Sequence, residues 1–246
     1  VELVYTSGTT GNPKGVILTH KNLTSQLKQI EEHITIKENY TFLSLLPLSH
    51  MFEQMAGMLV PLSVGGSIVY LRTLKPSAIL ESLSKEDISV VPIVPRLLGA
   101  LQKSIERKFD GLKLGSVFSN LRSWASNKNK STRKKVFGFV QKKFGKNFKF
   151  FVSGGAALDA SSFNFWDSLG FTIIEGYGLT ECSPVLTASL EKEQRAGSPG
   201  VALPGVKVKI DPSNNEILGK GDNITPGYYK NEEATRSAFN EEGWYK

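Results

Sequence analysis

The sequence predicts an α/β fold: mostly parallel βαβ sheet layers with a small β-rich, barrel-like subdomain near the C-terminus. Apolar runs at 41–46, 67–71, 88–91, 148–152 and 171–174 alternate with stretches of helical period at 50–63, 76–85, 95–108 and 159–169. Strands separated by helices join as crossover units and build a parallel sheet. From about Pro184 the texture changes to brief β-like runs, 207–210 and 216–218, among Gly, Pro, Asn and Asp. The 246 residues are 40% apolar, an ordinary supply for a core. The expected organisation is a core over 1–183, with a basic insert at about 103–149, followed by the β-rich part over 184–246.

The chain opens with two apolar runs, 1–5 and 16–18, read as strands around a polar loop. Gly8 and Gly11 let the backbone of that loop turn its N–H groups towards an anion. Thr6, Ser7, Thr9 and Thr10 add hydroxyl donors, and Lys14 adds a compact positive charge. Such a loop suits a polyphosphate. It is not a Walker A loop, because Lys14 follows Pro13 and precedes Gly15 and a β-branched run instead of opening a helix. The alternative is a ligand-free hairpin turn, which needs only two or three such residues.

Leu23, Leu27, Ile30 and Ile34 then recur at helical spacing, with Thr19 placed to cap the start. The longest charge-free stretch, Gln54 to Leu71, is broken by Pro61, Gly65 and Gly66 and reads as buried core, not as a membrane span. Fourteen lysines and arginines lie between Lys103 and Lys149 against only Glu106 and Asp110, so the segment holds +12 in a chain whose total is +7. Within it Val136, Phe137, Val140 and Phe144 form an apolar stripe flanked by lysines. Two readings follow: contact with an anionic membrane surface, or a basic helix docked by its stripe on its own domain. No aromatics interleave the charges on a reading surface, so nucleic acid is not the expected partner.

A single cysteine, Cys182, excludes an internal disulfide framework and fits a reducing compartment, with a packing role expected for the thiol. No leader pattern opens the chain, which starts in a strand as though mid-protein. The expected location is cytoplasmic, with peripheral contact at the inner face of a membrane. His20, His33 and His50 show no spacing suited to zinc.

Six stretches carry a resemblance: Thr6 to Gly15, Pro47 to Glu53, Ser153 to Leu158, Tyr177 to Glu181, Gly197 to Gly205 and Gly227 to Asn231. In this order they resemble the motifs of the adenylate-forming (AMP-binding) superfamily, which includes acyl-CoA synthetases, adenylation domains and luciferases. The resemblance implies an enzyme in which a carboxylate attacks the α-phosphorus of ATP, pyrophosphate leaves, and the acyl-adenylate passes to CoA. It further implies that Thr6, Ser7, Gly8, Thr9, Thr10, Gly11 and Lys14 hold the β- and γ-phosphates. Gly154, Gly155 and Ala156 would form the adenine wall together with Glu175, Gly176, Tyr177, Gly178 and Leu179. Thr180 would bond the α-phosphate, Glu181 would bind Mg²⁺, and His50 would gate the acyl site.

The family's amino-acid-activating members usually carry an Asp just after the position of Phe52, where this chain has Glu53. That difference, a Met/Leu-rich wall (Met51, Met55, Met58, Leu59) and the long basic insert resemble the long-chain fatty acid–CoA ligases. The expected substrates are therefore a long-chain fatty acid, ATP and CoA, the alternatives being an aryl or amino acid, or a non-catalytic nucleotide- or acyl-binding module. By the same resemblance, a ribose-binding Asp, an Arg and a catalytic Lys in a mobile C-terminal domain lie beyond Lys246. The isolated 246 residues are expected to bind nucleotide weakly without turnover, and the Gly219 to Asp222 stretch departs from the family's more apolar strand.

Overall fold

The alternation in the sequence becomes a seven-stranded sheet in the computed structural model, which describes residues 2–6 and 13–246. In chain order the elements are β1 (Glu2–Thr6), β2 (Lys14–Leu18), α1 (His20–His33), β3 (Thr41–Ser44), α2 (residues 51–63), β4 (Ser67–Tyr70) and α3 (Pro76–Lys85). There follow β5 (Val90–Ile93), α4 (Pro95–Gly111), α5 (Gly115–Ser126), α6 (Lys130–Val136), β6 (Phe150–Ser153), α7 (Ala160–Ser168) and β7 (Ile173–Tyr177). The last are β8 (Thr187–Ala188), β9 (Val201–Ala202), β10 (Lys207–Ile210), β11 (Ile217–Lys220) and α8 (Glu232–Ala238).

The sheet order is β4-β3-β5-β6-β7-β8-β9. Its first five strands are parallel, and β8 and β9 extend it antiparallel beyond β7. The change of texture at Pro184 thus does not mark the edge of the sheet. β10 and β11 pair as a two-stranded antiparallel hairpin in the small β-rich part that the sequence suggested.

Side chains alternate between the faces of the parallel strands, as the two-residue period requires. Leu43, Val91, Phe151 and Ile173 point into a cluster shared with α3, α4, α5 and α7, whereas Phe42, Val90, Phe150 and Ile174 join α1 and α2 on the other side. Burial on both faces is the usual condition of a parallel sheet.

Thr19 caps α1 as expected, in a reciprocal box with Asn22. Proline opens α3 and α4, where its missing N–H costs nothing. The strand expected at 88–91 runs instead from Val90 to Ile93 and includes Pro92. β3 pairs with this strand at Phe42↔Val90 and not beyond, so the lost donor at Pro92 breaks no ladder bond on that side. The helix expected at 50–63 is present, with π-helical geometry over Gln54–Leu59.

The apolar stripe of the basic segment is not one helix. α6 ends at Val136, a short turn spans Gly138–Gln141, and a 3₁₀ turn spans Lys142–Phe144. Phe137, Val140 and Phe144 are buried in the protein's own core, with Phe144 edge-on to Trp166 and Phe151. The stripe therefore docks on its own domain, and membrane contact through these side chains is corrected on that ground. Among the described residues no helix is long and apolar enough to cross a membrane.

Candidate active site

Parallel strands deliver their carboxyl ends to one side of the sheet, and connecting loops there form the natural ligand crevice. β6 runs into Ser153-Gly154-Gly155, β7 into Tyr177-Gly178-Leu179-Thr180, β5 into Val94, and β3 into the turn from Leu46 to His50; all contribute to one cavity. Its volume is about 520 Å³, within the span of small-molecule sites, about 300–1,000 Å³.

Two glycines make this convergence sterically possible. A Cβ on Gly178 would stand 2.0 Å from the Pro184 carbonyl oxygen, so only glycine lets the Tyr177 to Thr180 segment pass that backbone. A Cβ on Gly154 would meet the Phe52 ring at 2.8 Å. Phe52 thus packs its ring against the turn assigned to the adenine wall, an aromatic contribution beyond the expected site residues.

The cavity reaches from these loops towards α1 and α2, where Ile30, Ile34, Met51, Met55, Ala56 and Val60 line it. Among the described residues no Asp, Glu, Lys or Arg lines it. Glu53, the acid nearest in sequence, is fully buried and turned away: its Oε1 accepts from Ser44 Oγ at 2.6 Å and from the Leu45 N–H at 3.2 Å. Burial pushes its carboxyl pKa up, against the pull of those bonds. His50 stands exposed at the cavity rim, as the residue preceding α2.

Beside the cavity mouth the amino-terminal hairpin meets the Thr180-Glu181 turn. Thr6 pairs with Lys14 across the hairpin. The Tyr229 N–H donates to the Gly15 carbonyl at 2.8 Å, and the Ile17 N–H to the Gly227 carbonyl at 3.0 Å, so residues 227–229 run alongside β2. The Thr225 N–H bonds the Glu181 carbonyl at 2.8 Å, while its hydroxyl reaches the Ile17 carbonyl at 2.6 Å. Lys14 Nζ lies 5.3 Å from the Tyr228 ring centroid, and the Tyr228 hydroxyl donates to Glu181 Oε1 at 2.8 Å. Lys14 and Glu181 therefore flank a single side chain. The same hydroxyl lies 3.1 Å from that of Tyr245. Burial drives the Tyr228 pKa up to about 12, so at neutral pH it keeps the proton it donates.

Of the expected site residues, Lys14, Thr180 and Glu181 come together here, and Gly154, Gly155, Gly176, Tyr177, Gly178, Leu179, Thr180 and His50 line the cavity. Thr6 stands at the loop entrance; Ser7, Gly8, Thr9, Thr10 and Gly11 lie outside the described residues. Ala156 is exposed and away from the cavity lining. Glu175 sits behind the wall, its Oε1 accepting from the Leu158 N–H at 3.1 Å, so it braces the Gly154 turn instead of facing a ligand. His33 is structural, its Nε2 2.9 Å from the Ala188 carbonyl oxygen. Tyr228 and Tyr245, which are not among the expected site residues, also stand beside Glu181; the signal for them in the sequence was the Gly227-Tyr228-Tyr229 and Gly243-Trp244-Tyr245 pattern.

Among the described residues no three His, Cys, Asp or Glu side chains gather to cage a metal. One carboxylate, Glu181, beside one hydroxyl, Thr180, is a hard oxygen donor set. It fits Mg²⁺, which is commonly held by one or two carboxylates together with substrate phosphates.

A family model described as AMP-binding enzyme matches residues 1–229. The chain is 30% identical, over 99% of its length, to the chloroplastic long-chain-fatty-acid–[acyl-carrier-protein] ligase AEE15 of Arabidopsis thaliana, covering 40% of that protein. It is 29% identical to long-chain-fatty-acid–CoA ligase 1 of Homo sapiens, with 98% of this chain and 38% of that protein covered. Identity is also 29% to the mitochondrial malonate–CoA ligase ACSF3 of Homo sapiens, with 99% and 44% covered. Among solved structures, ATP-bound MatB from Rhodopseudomonas palustris superposes with a TM-score of 0.76 at 25% identity, over 99% of this chain and 44% of that one. The chain thus spans about two fifths of the length of the curated relatives it matches. With a family model matching nearly its whole length onto motifs that converge at one crevice, the chain belongs to the AMP-binding enzyme family.

Proposed function

We propose that this chain is the nucleotide- and acyl-binding part of a ligase that activates a long-chain fatty acid as its acyl-adenylate and then forms the CoA thioester. The observation carrying this is the cavity, lined by no charged side chain among the described residues, that opens beside Lys14, Thr180 and Glu181. An amino acid needs an acidic partner for its ammonium, and the lining offers none among the described residues, with Glu53 committed to Ser44 and Leu45. A Met- and Ile-lined wall suits a flexible alkyl chain. The chain's similarity to the long-chain-fatty-acid ligases of Arabidopsis thaliana and Homo sapiens supports the same substrate class.

Uniting a carboxylate with a triphosphate brings two anions together, so cations and N–H donors must offset the repulsion. Lys14 supplies positive charge at the β- and γ-phosphates, with the loop hydroxyls; Thr180 bonds the α-phosphate; Tyr177 and Phe52 give the base flat surfaces; His50 guards the acyl entrance. Mg²⁺ held by Glu181 would neutralise phosphate charge. The experiment is ATP–pyrophosphate exchange by the full-length parent across long-chain, aryl and amino acids and malonate, with Lys14→Ala as control. Exchange with long-chain acids that Lys14→Ala abolishes supports the reading; exchange only with amino acids, or none with any acid, overturns it.

A cytoplasmic site of action with peripheral contact on an anionic membrane is part of the same proposal. With the stripe buried, that contact falls to exposed Leu112, Leu114, Val117, Trp124 and Phe139 among the lysines of 103–149. Trp124, with Lys128 Nζ 5.1 Å from its ring centroid, should shift its fluorescence to the blue on phosphatidylglycerol vesicles but not on phosphatidylcholine vesicles; no shift on either removes the contact.

A further inference from the structure

We propose that Tyr228 and Tyr245 are positioning residues whose hydroxyls form a two-member relay holding one oxygen of the Glu181 carboxylate and leaving the other for the magnesium ion of a bound nucleotide. The inference rests on the reading of Glu181 as the metal-binding acid and extends it to two tyrosines that have no role in that reading.

Donor arithmetic fixes the direction of the relay. A tyrosine hydroxyl has one hydrogen to give. That of Tyr228 goes to Glu181 Oε1 at 2.8 Å, so across the 3.1 Å contact between the two hydroxyls it is Tyr245 that donates and Tyr228 that accepts. Both side chains are almost wholly out of water, with 9% and 6% of their surfaces exposed. A buried chain of this kind is strengthened by the low dielectric around it and is costly to leave half-made. Among the described residues the side-chain hydrogen bond to the Glu181 carboxylate is made at Oε1 and none is made at Oε2.

Each tyrosine is anchored to a different piece of backbone. Tyr228 is bridged to Val16 in β2, two residues beyond Lys14. Tyr245 exchanges two 2.9 Å hydrogen bonds with Gly219 in β11, and its ring packs edge-on against Phe239. The Glu181 carbonyl is held separately, by the Thr225 N–H. The carboxylate is thereby located relative to the Lys14 strand and the C-terminal hairpin together. Outer hydrogen bonds of this kind orient a metal-binding carboxylate, and their loss typically costs about 10–100-fold in metal affinity.

The test uses the full-length parent, a fluorescent ATP analogue and a Mg²⁺ titration without acyl substrate, with melting temperatures as the check on folding. Tyr228→Phe should raise the half-saturating Mg²⁺ concentration about tenfold, and Tyr245→Phe about threefold, while analogue binding without Mg²⁺ stays at the parent value. Glu181→Gln should shift it further than either. A folded Tyr228→Phe protein with unchanged half-saturation, beside a shifted Glu181→Gln, overturns the relay and leaves the Glu181 reading standing. An unshifted Glu181→Gln overturns both. Should Tyr228→Phe not fold, Tyr245→Phe decides alone, since it keeps the Tyr228–Glu181 bond and removes only the outer donor: no shift there overturns the relay.

Discussion

Burial decides what Cys182 and Glu53 can do. The Cys182 thiol is fully buried and its pKa is pushed up to about 12, so it stays protonated across the neutral range and serves packing, as its place after Thr180-Glu181 had suggested. Iodoacetamide at pH 8 should leave it unmodified in the folded protein and label it once denaturant is added; labelling of the native state at the denatured rate would contradict this. Because the folded pKa stands above the ordinary thiol value, the neutral thiol's contribution to stability is intact below about pH 9 and declines as pH rises towards about 12. Glu53 has the same sign at lower pH. Its pKa is raised, so its contribution fades as the medium passes from acid to neutral. Glu53→Gln keeps an acceptor for Ser44 and Leu45 and should cost under about 1 kcal/mol at pH 7, whereas Glu53→Ala strands both donors and leaves a hole, costing about 2–4 kcal/mol in urea unfolding. The departure from aspartate at this position was legible in the sequence. Its consequence, a carboxylate turned out of the cavity, was not, because sequence spacing does not say which partner a side chain finds.

At the scale of elements, residue period gave the helices and strands more reliably than their ends. α3 and β10 fall where the patterns put them, and α1 begins at its capping threonine. The π geometry of α2 left no trace in the pattern, because a single wide turn does not disturb an apolar run. That turn carries Met55 and Ala56 to the cavity, and a Cβ on Gly57 inside it would meet Glu53 Oε1 at 2.4 Å. Ala56→Trp in the full-length parent should therefore fill the cavity and move acyl preference towards shorter chains, read as the ratio of kcat/KM for hexadecanoate and octanoate; an unchanged ratio would count against an acyl role for the cavity. Gly178→Ala should cost nucleotide affinity at least about tenfold by forcing the Tyr177 turn off the Pro184 carbonyl. Gly99→Ala, in α4 with nothing within 4 Å of the added carbon, should instead gain about 0.5–1 kcal/mol. The Phe137 to Phe144 stripe shows where periodicity stops: docking on a bilayer and docking on the domain's own core demand the same spacing, and only the packing against Trp166 separates them.

For the molecule as a whole, the parallel sheet was legible because strands and helices alternate, and a parallel sheet gathers its loops at one edge. The antiparallel extension by β8 and β9 was not, since two-residue strands are too short to show a period. Nor were the long-range bonds that hold the Gly-rich segments in place. Buried Asn22 on α1 donates to the Asp222 and Ile224 carbonyls, and buried Asn223 to those of Cys182 and Val185. Those contacts, spanning 200 and 202 residues from Asn22, help to bring the hairpin strand and the Thr180-Glu181 turn together at Tyr228. The claim that the two grip one triphosphate is tested most directly by lysine-acylation footprinting of the full-length parent, followed by mass spectrometry, with and without saturating MgATP. Lys14 should be protected severalfold by MgATP in the parent, with the Mg²⁺-dependent part of the protection lost in Glu181→Gln; Lys14 labelled equally with the nucleotide bound and absent would contradict the account.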